Sequence, residues 1–406
     1  MTQKANGVLL LLKVPNGLSI GFDYNSIVFE KNLMGIRNIP LGSHFFYWSP
    51  LDEEDNNTLG QCLFFEENKV IVRCWCEETD TFKRLEDDEA ERYEIGVRKG
   101  DFLLHMACYN SDFIALWKEV SYFISKKVVD RIEPLNKFIQ SSGKEYDSSD
   151  KEKEVRFEEK LEEFFSEDKQ SITSIPPSLT TKEECLTSLA EQKPLKSCLK
   201  LPKETDTEQQ KLEHNDAFRF VHSNTLFFLE VPKLKLPANA PGHVKTCMMH
   251  DNSSILETIL VDKLQGEWEQ ILGEIQFAFV CFLLGKNYDA FEQWKRLIIL
   301  LSSCDTASQT YIDLFAGYLR VLHNQLLQVP NDFFHESVLS NNFFIQSLGN
   351  ICEICEGENV PQKLQKRVAF IKKAIVEKFH TSLTEILQLH EDAPLIVDET
   401  EPFISF

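Results

Sequence analysis

The chain has 406 residues, with 43 Lys and Arg against 64 Asp and Glu, which gives a formal net charge of −21. A hydrophobic share of 43% supports a full core, and domains of roughly 100–200 residues predict two of them plus extra chain. So acidic a chain repels phosphate backbones and anionic lipid surfaces, which sets nucleic acid and membranes aside in favour of a protein partner with a basic face.

The chain opens on an apolar run, Val8 to Leu12, that Lys13 ends. That is shorter than the about seven residues a secretory core needs, and no stretch reaches the ~18–20 apolar residues of a membrane span. The eleven cysteines are scattered at no framework spacing, the usage of a reducing compartment. An intracellular, soluble protein is expected. Gly7–Val14, Leu18–Phe22, His44–Trp48, Gln61–Phe65 and Val70–Cys76 are short apolar or aromatic runs. Pro15-Asn16-Gly17, Pro40-Leu41-Gly42 and Asp55-Asn56-Asn57 punctuate them as turns, which predicts an antiparallel sheet or sandwich. In the last run, alternation puts Val70, Val72, Cys74 and Cys76 on one face. Phe113, Leu116, Trp117, Val120, Phe123 and Ile124 then carry helical spacing, predicting one helix over Asp112–Ile132 with Ser111 or Asp112 as N-cap.

From Lys137 to Gln210 charges, Ser, Thr and Pro replace the apolar pattern, the composition of a flexible linker. Asp251–Leu264, Glu267–Leu284, Tyr288–Ser303, Thr310–Gln328 and Pro361–Leu389 regain helical periodicity. Glu267–Leu284 is apolar nearly all round, as a central bundle helix is, and Gly285-Lys286-Asn287 reads as the stop before an antiparallel neighbour. Trp268 and Trp294 are expected as core anchors. The expected fold class is therefore α+β with two domains: a β-rich, sandwich-like domain with a helix over 1–136, and an all-α helical bundle over 213–390. The linker takes 137–212 and a tail takes 391–406.

No Walker loop, dinucleotide fingerprint, His-Glu-x-x-His or Gly-x-Ser-x-Gly occurs. Cys74-Trp75-Cys76 and Cys352-Glu353-Ile354-Cys355 fall in different domains and lack the further ligands of a zinc site, so they read as core thiols. Asp23 and His44 offer an acid–base pair, but without a nucleophile beside them a hydrogen-bonded core histidine is the plainer reading. No catalytic residue, metal or cofactor is expected, and the chain reads as a non-enzyme. Ser302 and Ser303, and Ser148 and Ser149, have acids just beyond them, which suits an acidophilic kinase. A phosphate at the end of the Tyr288–Ser303 helix would oppose its dipole. In the tail, Leu395, Ile396 and Val397 have strand propensity between Pro394 and Pro402, with Phe403 and Ile404 following. A strand so short needs a ladder from elsewhere, so these five residues are expected to meet an exposed sheet edge of a partner.

Two blocks add a resemblance. Gly21-Phe22-Asp23-Tyr24-Asn25-Ser26 with Gly35-Ile36-Arg37-Asn38-Ile39-Pro40-Leu41-Gly42-Ser43-His44-Phe45 resembles the N-terminal signature of the A1-cistron splicing factor family. Leu272-Gly273-Glu274-Ile275-Gln276-Phe277-Ala278-Phe279-Val280-Cys281-Phe282-Leu283-Leu284-Gly285, running on to Tyr288–Lys295, looks like the hallmark of that family's helical domain, and Pro330-x-Asp332-Phe333-Phe334 follows its pattern. The resemblance implies an assembly factor of the U5 small nuclear ribonucleoprotein, found in cytoplasm and nucleus. Such a factor binds the RNase H-like and MPN-like domains of the largest U5 scaffold protein and keeps the RNA helicase subunit from joining early. A monomer before complex formation is expected. The rival reading is a tetratricopeptide-like peptide-binding adaptor, because Leu284-Gly285-x-x-Tyr288 matches part of that repeat, although no second copy follows at its period of about 34 residues.

Overall fold

The structure, a computed structural model, describes residues 6–30, 32–49, 58–141, 225–232, 241, 250–329, 342–357 and 360–392. Most of the expected linker, Ser148, Ser149, the Pro330–Phe334 motif and the tail residues Leu395, Ile396, Val397, Phe403 and Ile404 lie outside the described residues. The described parts of the β-rich and the helical domain belong to one compact unit. Among the described residues no helix is long and apolar enough to cross a membrane.

The β-rich domain holds β1 (Gly7–Leu12), β2 (Ser19–Phe22), β3 (Asn25–Val28), β4 (Gly35–Ile39), β5 (Gly42–Trp48), β6 (Leu59–Phe65), β7 (Val70–Cys76), β8 (Thr81–Lys83), β9 (Met106–Cys108) and β10 (Ile139–Gln140). Two five-stranded sheets result, ordered β8-β7-β1-β4-β9 and β10-β6-β5-β2-β3. The second is antiparallel throughout, but the first is mixed: β1 runs parallel to β7, and β4 to β9. The purely antiparallel expectation fails there because β1 sits at the centre of a sheet covered on both faces. Leu9 and Leu11 enter the sandwich core with Phe22, Phe46, Trp48 and Phe65. Leu10 and Leu12 pack on the other face with Val70, Val72 and Met106, which is why every residue of this run is apolar.

That outer face is covered by α1 (Asp87–Lys99), a helix that sequence periodicity misses because only the thin stripe of Tyr93 and Val97 is apolar. Its end signals were nevertheless legible. Asp87, Asp88 and Glu89 open it, Arg98 and Lys99 close it, and Gly100 takes the left-handed C′ position at φ 89°. The expected linker also starts too early. Phe138 packs on the sandwich core, β10 pairs with β6, the Ser141 N–H donates to the Thr58 carbonyl, and the Thr58 N–H donates to Ser141 Oγ.

The expected helix over 112–132 is broken in two: a single turn at Ser111–Phe113 leads into α2 (Ile114–Val120), and α3 (Lys126–Ile132) follows. The N-cap is Asn110, whose side chain accepts from the Asp112 N–H at 3.0 Å, and not Ser111 or Asp112. Residues 225–232, expected within the helical region, run without helix or strand, with Leu226 and Leu229 buried.

The bundle comprises α4 (Ser253–Thr258) running into a π-helical turn, α5 (Glu269–Leu283), α6 (Tyr288–Ser302), α7 (Asp305–Thr310), α8 (Ile312–Gln328), α9 (Phe343–Glu356), α10 (Gln362–Phe379) and α11 (Leu383–Asp392). α5 is buried from Gln270 to Phe282 and packs on α6, where Phe282 stacks on Trp294 at 5.9 Å. The turn between them differs in one detail from its reading. Lys286, at φ 51°, takes the left-handed position, while Gly285 is small because a Cβ there would lie 2.6 Å from the Cys281 carbonyl oxygen. The helix expected over Pro361–Leu389 breaks at His380, also left-handed. Ser382 and Glu385 then form a reciprocal cap for α11: the Glu385 N–H donates to Ser382 Oγ and the Ser382 N–H to Glu385 Oε2.

Asp251 ties two helix starts together. Its Oδ1 accepts from the Ser253 and Asp305 N–H groups, and its Oδ2 from Thr306 N–H and Oγ1. Burial pushes this carboxyl up, but those bonds together outweigh it and hold its pKa below the usual value. A depressed carboxylate contributes stability above its unfolded pKa, about 3.9, and loses it as pH falls through the folded value. Asp251→Ala is therefore expected to cost about 1–2 kcal/mol at neutral pH. Urea unfolding should show the deficit closing as the buffer is taken below about pH 4.

Candidate functional site

The first resemblance block lies in the sandwich beneath α2. The second, on α5, lies against the α2–α3 turn at the seam between the sandwich and the bundle, with Phe45 of the first approaching Gly285 of the second. Asp23, at the end of β2, and His44, on β5, are 0% and 1% exposed. His44 Nδ1 lies 2.6 Å from Asp23 Oδ2, and its Nε2 lies 2.9 Å from the Pro40 carbonyl oxygen. Tyr109 Oη donates to Asp23 Oδ2 at 2.8 Å and the Phe45 N–H to Oδ1 at 2.9 Å. Burial pushes the Asp23 carboxyl up against these partners. The pair is thus a satisfied knot inside the core rather than an acid and base facing a substrate, and it supports α2: Trp117 stacks on His44 and donates from Nε1 to the Ser43 carbonyl at 2.8 Å.

The break after α2 is held by the bundle. Gln276 of α5 accepts from the Phe123 N–H at 2.7 Å and donates to the Glu119 carbonyl at 2.9 Å. One side chain thereby satisfies two backbone groups that a continuous helix would have paired internally. One turn earlier, Gly273 lets the chains touch: a Cβ there would lie 2.4 Å from the Phe123 carbonyl oxygen and 2.9 Å from Val128 Cγ2. Next to it, Glu274 is fully buried and sits 2.8 Å from Arg131 Nη1 of α3. Its other oxygen accepts from the Leu229 N–H and from Gln293 Nε2, each at 2.8 Å. Burial raises the Glu274 pKa, with Arg131 the main opposing influence. The Phe227 N–H donates to the Ile132 carbonyl, so the 225–232 segment is stitched to both domains.

The rim of the seam is charged. Glu119 receives two hydrogen bonds from Arg320 of α8, at 2.8 and 2.7 Å, and one from Asn324 at 3.2 Å. The Arg320 guanidinium lies 3.9 Å from the Tyr122 ring centroid. Those bonds from Arg320 hold the Glu119 pKa below the carboxylate norm. Lys127 reaches Glu267 at 2.6 Å across an exposed edge. Between these pairs opens a cleft of about 560 Å³, lined by Phe123, Trp268, Gly317 and Arg320 among others. Trp268 is half-buried on this cleft against Phe123, so it is not the core anchor expected, whereas Trp294 is 3% exposed and donates to Gln325.

Ser302 is 1% exposed, with its Oγ 2.7 Å from Tyr318 Oη, which itself donates to the Ile298 carbonyl. Ser303 Oγ donates to the Ile299 and Leu300 carbonyls and accepts from Asn252 Nδ2 at 2.6 Å. A phosphate on Ser302 would put a charge into the core, so a kinase would meet this hydroxyl only after the end of α6 had opened. Cys352 and Cys355 lie in α9, and burial pushes both thiols up to about 12. Among the described residues no group of three or more His, Cys, Asp or Glu is placed to hold a metal ion. Sequence reasoning passed over Gln276 and Glu274 as seam residues. Their signal was present, two polar side chains inside an otherwise apolar helix, but their partners Arg131, Glu119 and Phe123 carry no mark in sequence.

The same two blocks are where known proteins match. A model of the AAR2 N-terminal domain matches residues 5–134, and a model of the AAR2 C-terminal repeat region matches residues 228–384. The Protein AAR2 homolog of Mus musculus is 27% identical over 406 residues, covering 97% of this chain and 94% of that protein. Its counterpart in Homo sapiens is 28% identical over 376 residues, covering 90% and 88%. The one in Caenorhabditis elegans is 27% identical over 379 residues, covering 92% and 94%.

Proposed function

The chain belongs to the AAR2 family, the A1-cistron splicing factors, and from that splicing-related role we propose that it is a non-enzymatic assembly factor of the U5 small nuclear ribonucleoprotein. It binds the RNase H-like and MPN-like domains of the largest U5 scaffold protein as a monomer, in cytoplasm and nucleus, and acts by occlusion. While it is bound, the RNA helicase subunit is kept off the scaffold. The observation that carries this reading is the seam. Gly273, Glu274 and Gln276 fix α5 to the α2–α3 hairpin, so sandwich and bundle offer one preformed surface. A binder that works by exclusion gains from that rigidity, because little ordering entropy is lost on association. The tail residues Leu395, Ile396, Val397, Phe403 and Ile404 add a strand to an edge of the scaffold in this reading.

The adaptor alternative keeps only the Leu284-Gly285-x-x-Tyr288 fragment, and here Gly285 is explained by its approach to Cys281 and Phe45 rather than by repeat packing. A competition experiment separates the readings. Scaffold fragments carrying both domains are loaded with the chain and challenged with the helicase subunit on a sizing column. Mutual exclusion is expected, with weaker scaffold binding and an unchanged melting temperature when the chain is cut after Asp392. Simultaneous binding of chain and helicase would refute occlusion.

A further inference from the structure

α10 is the anomaly of charge in this molecule. It carries Lys363, Lys366, Arg367, Lys372, Lys373 and Lys378 against one acid, Glu377, in a chain of net charge −21. One face buries Leu364, Val368, Ile371, Ala374 and Ile375. The opposite face is a second stripe at helical spacing, Lys366, Ala369, Phe370, Lys373 and Val376, all exposed. Phe370 is 56% and Val376 51% exposed, an apolar strip between lysines that no described element covers. Lys372 and Lys363 are engaged by Glu356 and Asp313 on neighbouring helices, and Lys378 by backbone carbonyls. On the stripe itself Lys373 has only Glu377, one turn on at 3.4 Å, and Lys366 has no described partner.

We propose that this stripe is the docking site of the chain's own C-terminal segment, residues 393–406. Three observations select that occupant. The segment is complementary: it carries Asp398, Glu399 and Glu401 with no basic residue, and Phe403, Ile404 and Phe406 as apolar anchors. It leaves from the right place, since it follows α11, which turns back after His380 to pack on α10 and α9. It also reaches: fourteen residues span up to about 46 Å extended, against roughly 27 Å for the eighteen residues of α10. Tethering raises the effective concentration to the order of millimolar, so even contacts too weak to hold a free peptide keep the segment seated. The contact covers Phe370 and pairs Lys366 and Lys373 with the segment's acids. It parks the segment that the proposed function assigns to a partner, but it is intramolecular and stands whether or not that function holds.

Zero-length carbodiimide coupling of the full-length monomer, read by peptide mass spectrometry, tests it without any partner. Amide bonds joining Lys366 or Lys373 to Asp398, Glu399 or Glu401 are expected to dominate the links made by the tail. Phe370→Ala leaves every coupling group in place and removes only an exposed side chain. It should reduce those links by roughly tenfold, the factor that 1.4 kcal/mol of lost apolar contact represents. Tail acids coupling to lysines across the surface without preference, or to a second copy, would overturn the assignment. So would a Phe370→Ala yield equal to wild type.

Discussion

Gly273→Val is expected to lower the melting temperature by about 2–5 °C and to expose the Phe123 amide to exchange. The α5 backbone passes so close to the α2–α3 turn that a Cβ at 273 meets the Phe123 carbonyl oxygen at 2.4 Å, and a backbone oxygen cannot swing aside as a side chain does. Valine adds two further methyl groups toward Val128. Overpacking of this kind costs about 1–3 kcal/mol, and the forced separation also lengthens the bonds of Gln276 to Phe123 and Glu119. For a cooperative unit larger than about 250 residues, an unfolding entropy of about 2.1 cal/mol/K per residue makes each kcal/mol worth roughly 1–2 °C. Gly273→Ala should fall between, because alanine regains up to about 1 kcal/mol of helix propensity against a smaller clash. Differential scanning calorimetry and amide exchange at Phe123 check both parts. A valine variant that melts with wild type and keeps Phe123 protected would mean the seam is loose.

Arg131→Ala is expected to be as severe, and its pH dependence identifies the cause. Glu274 has no exposed surface, and Arg131 supplies the only described cation against it. Removing one partner of a buried pair leaves an uncompensated charge and costs about 3–5 kcal/mol. Burial already raises the Glu274 pKa, and losing Arg131 raises it further. For a group whose folded pKa is raised, the protonated form is the one the fold favours. The penalty is therefore absent below the unfolded value of about 4.3 and grows as pH rises toward the folded value. Urea titrations should accordingly show the variant approaching wild type as pH is lowered to about 4. Adding Glu274→Gln to Arg131→Ala should recover much of the loss at neutral pH, since the amide oxygen still accepts from Leu229 while the charge is gone. A deficit that is flat with pH would assign the effect to lost packing of the arginine stem.

These two residues also mark where sequence and structure part. β1 and β7, the apolar girth of α5 and the helix pair around Gly285 were legible, because a buried element advertises itself through hydrophobic period and length. The class of the fold, β-rich then helical, follows from those alone. Weakly apolar elements escaped: α1 has a stripe of two residues, β8 and β9 are three residues long, and β10 is two. A continuous helix over 112–132 was the natural reading, since Phe123 and Ile124 keep the period. Only Gln276, more than a hundred residues away, supplies the hydrogen bonds that make the break affordable. The hydrogen-bonded core histidine at 44 was legible, but tertiary structure alone decided that Tyr109 and the Phe45 N–H complete its knot with Asp23 and that Ser302 points inward to Tyr318. Periodicity is a local property and fixes which face of an element is buried. Which partner that face meets depends on contacts between residues far apart in the chain, and polar residues such as Glu274 and Gln276 acquire their role only there.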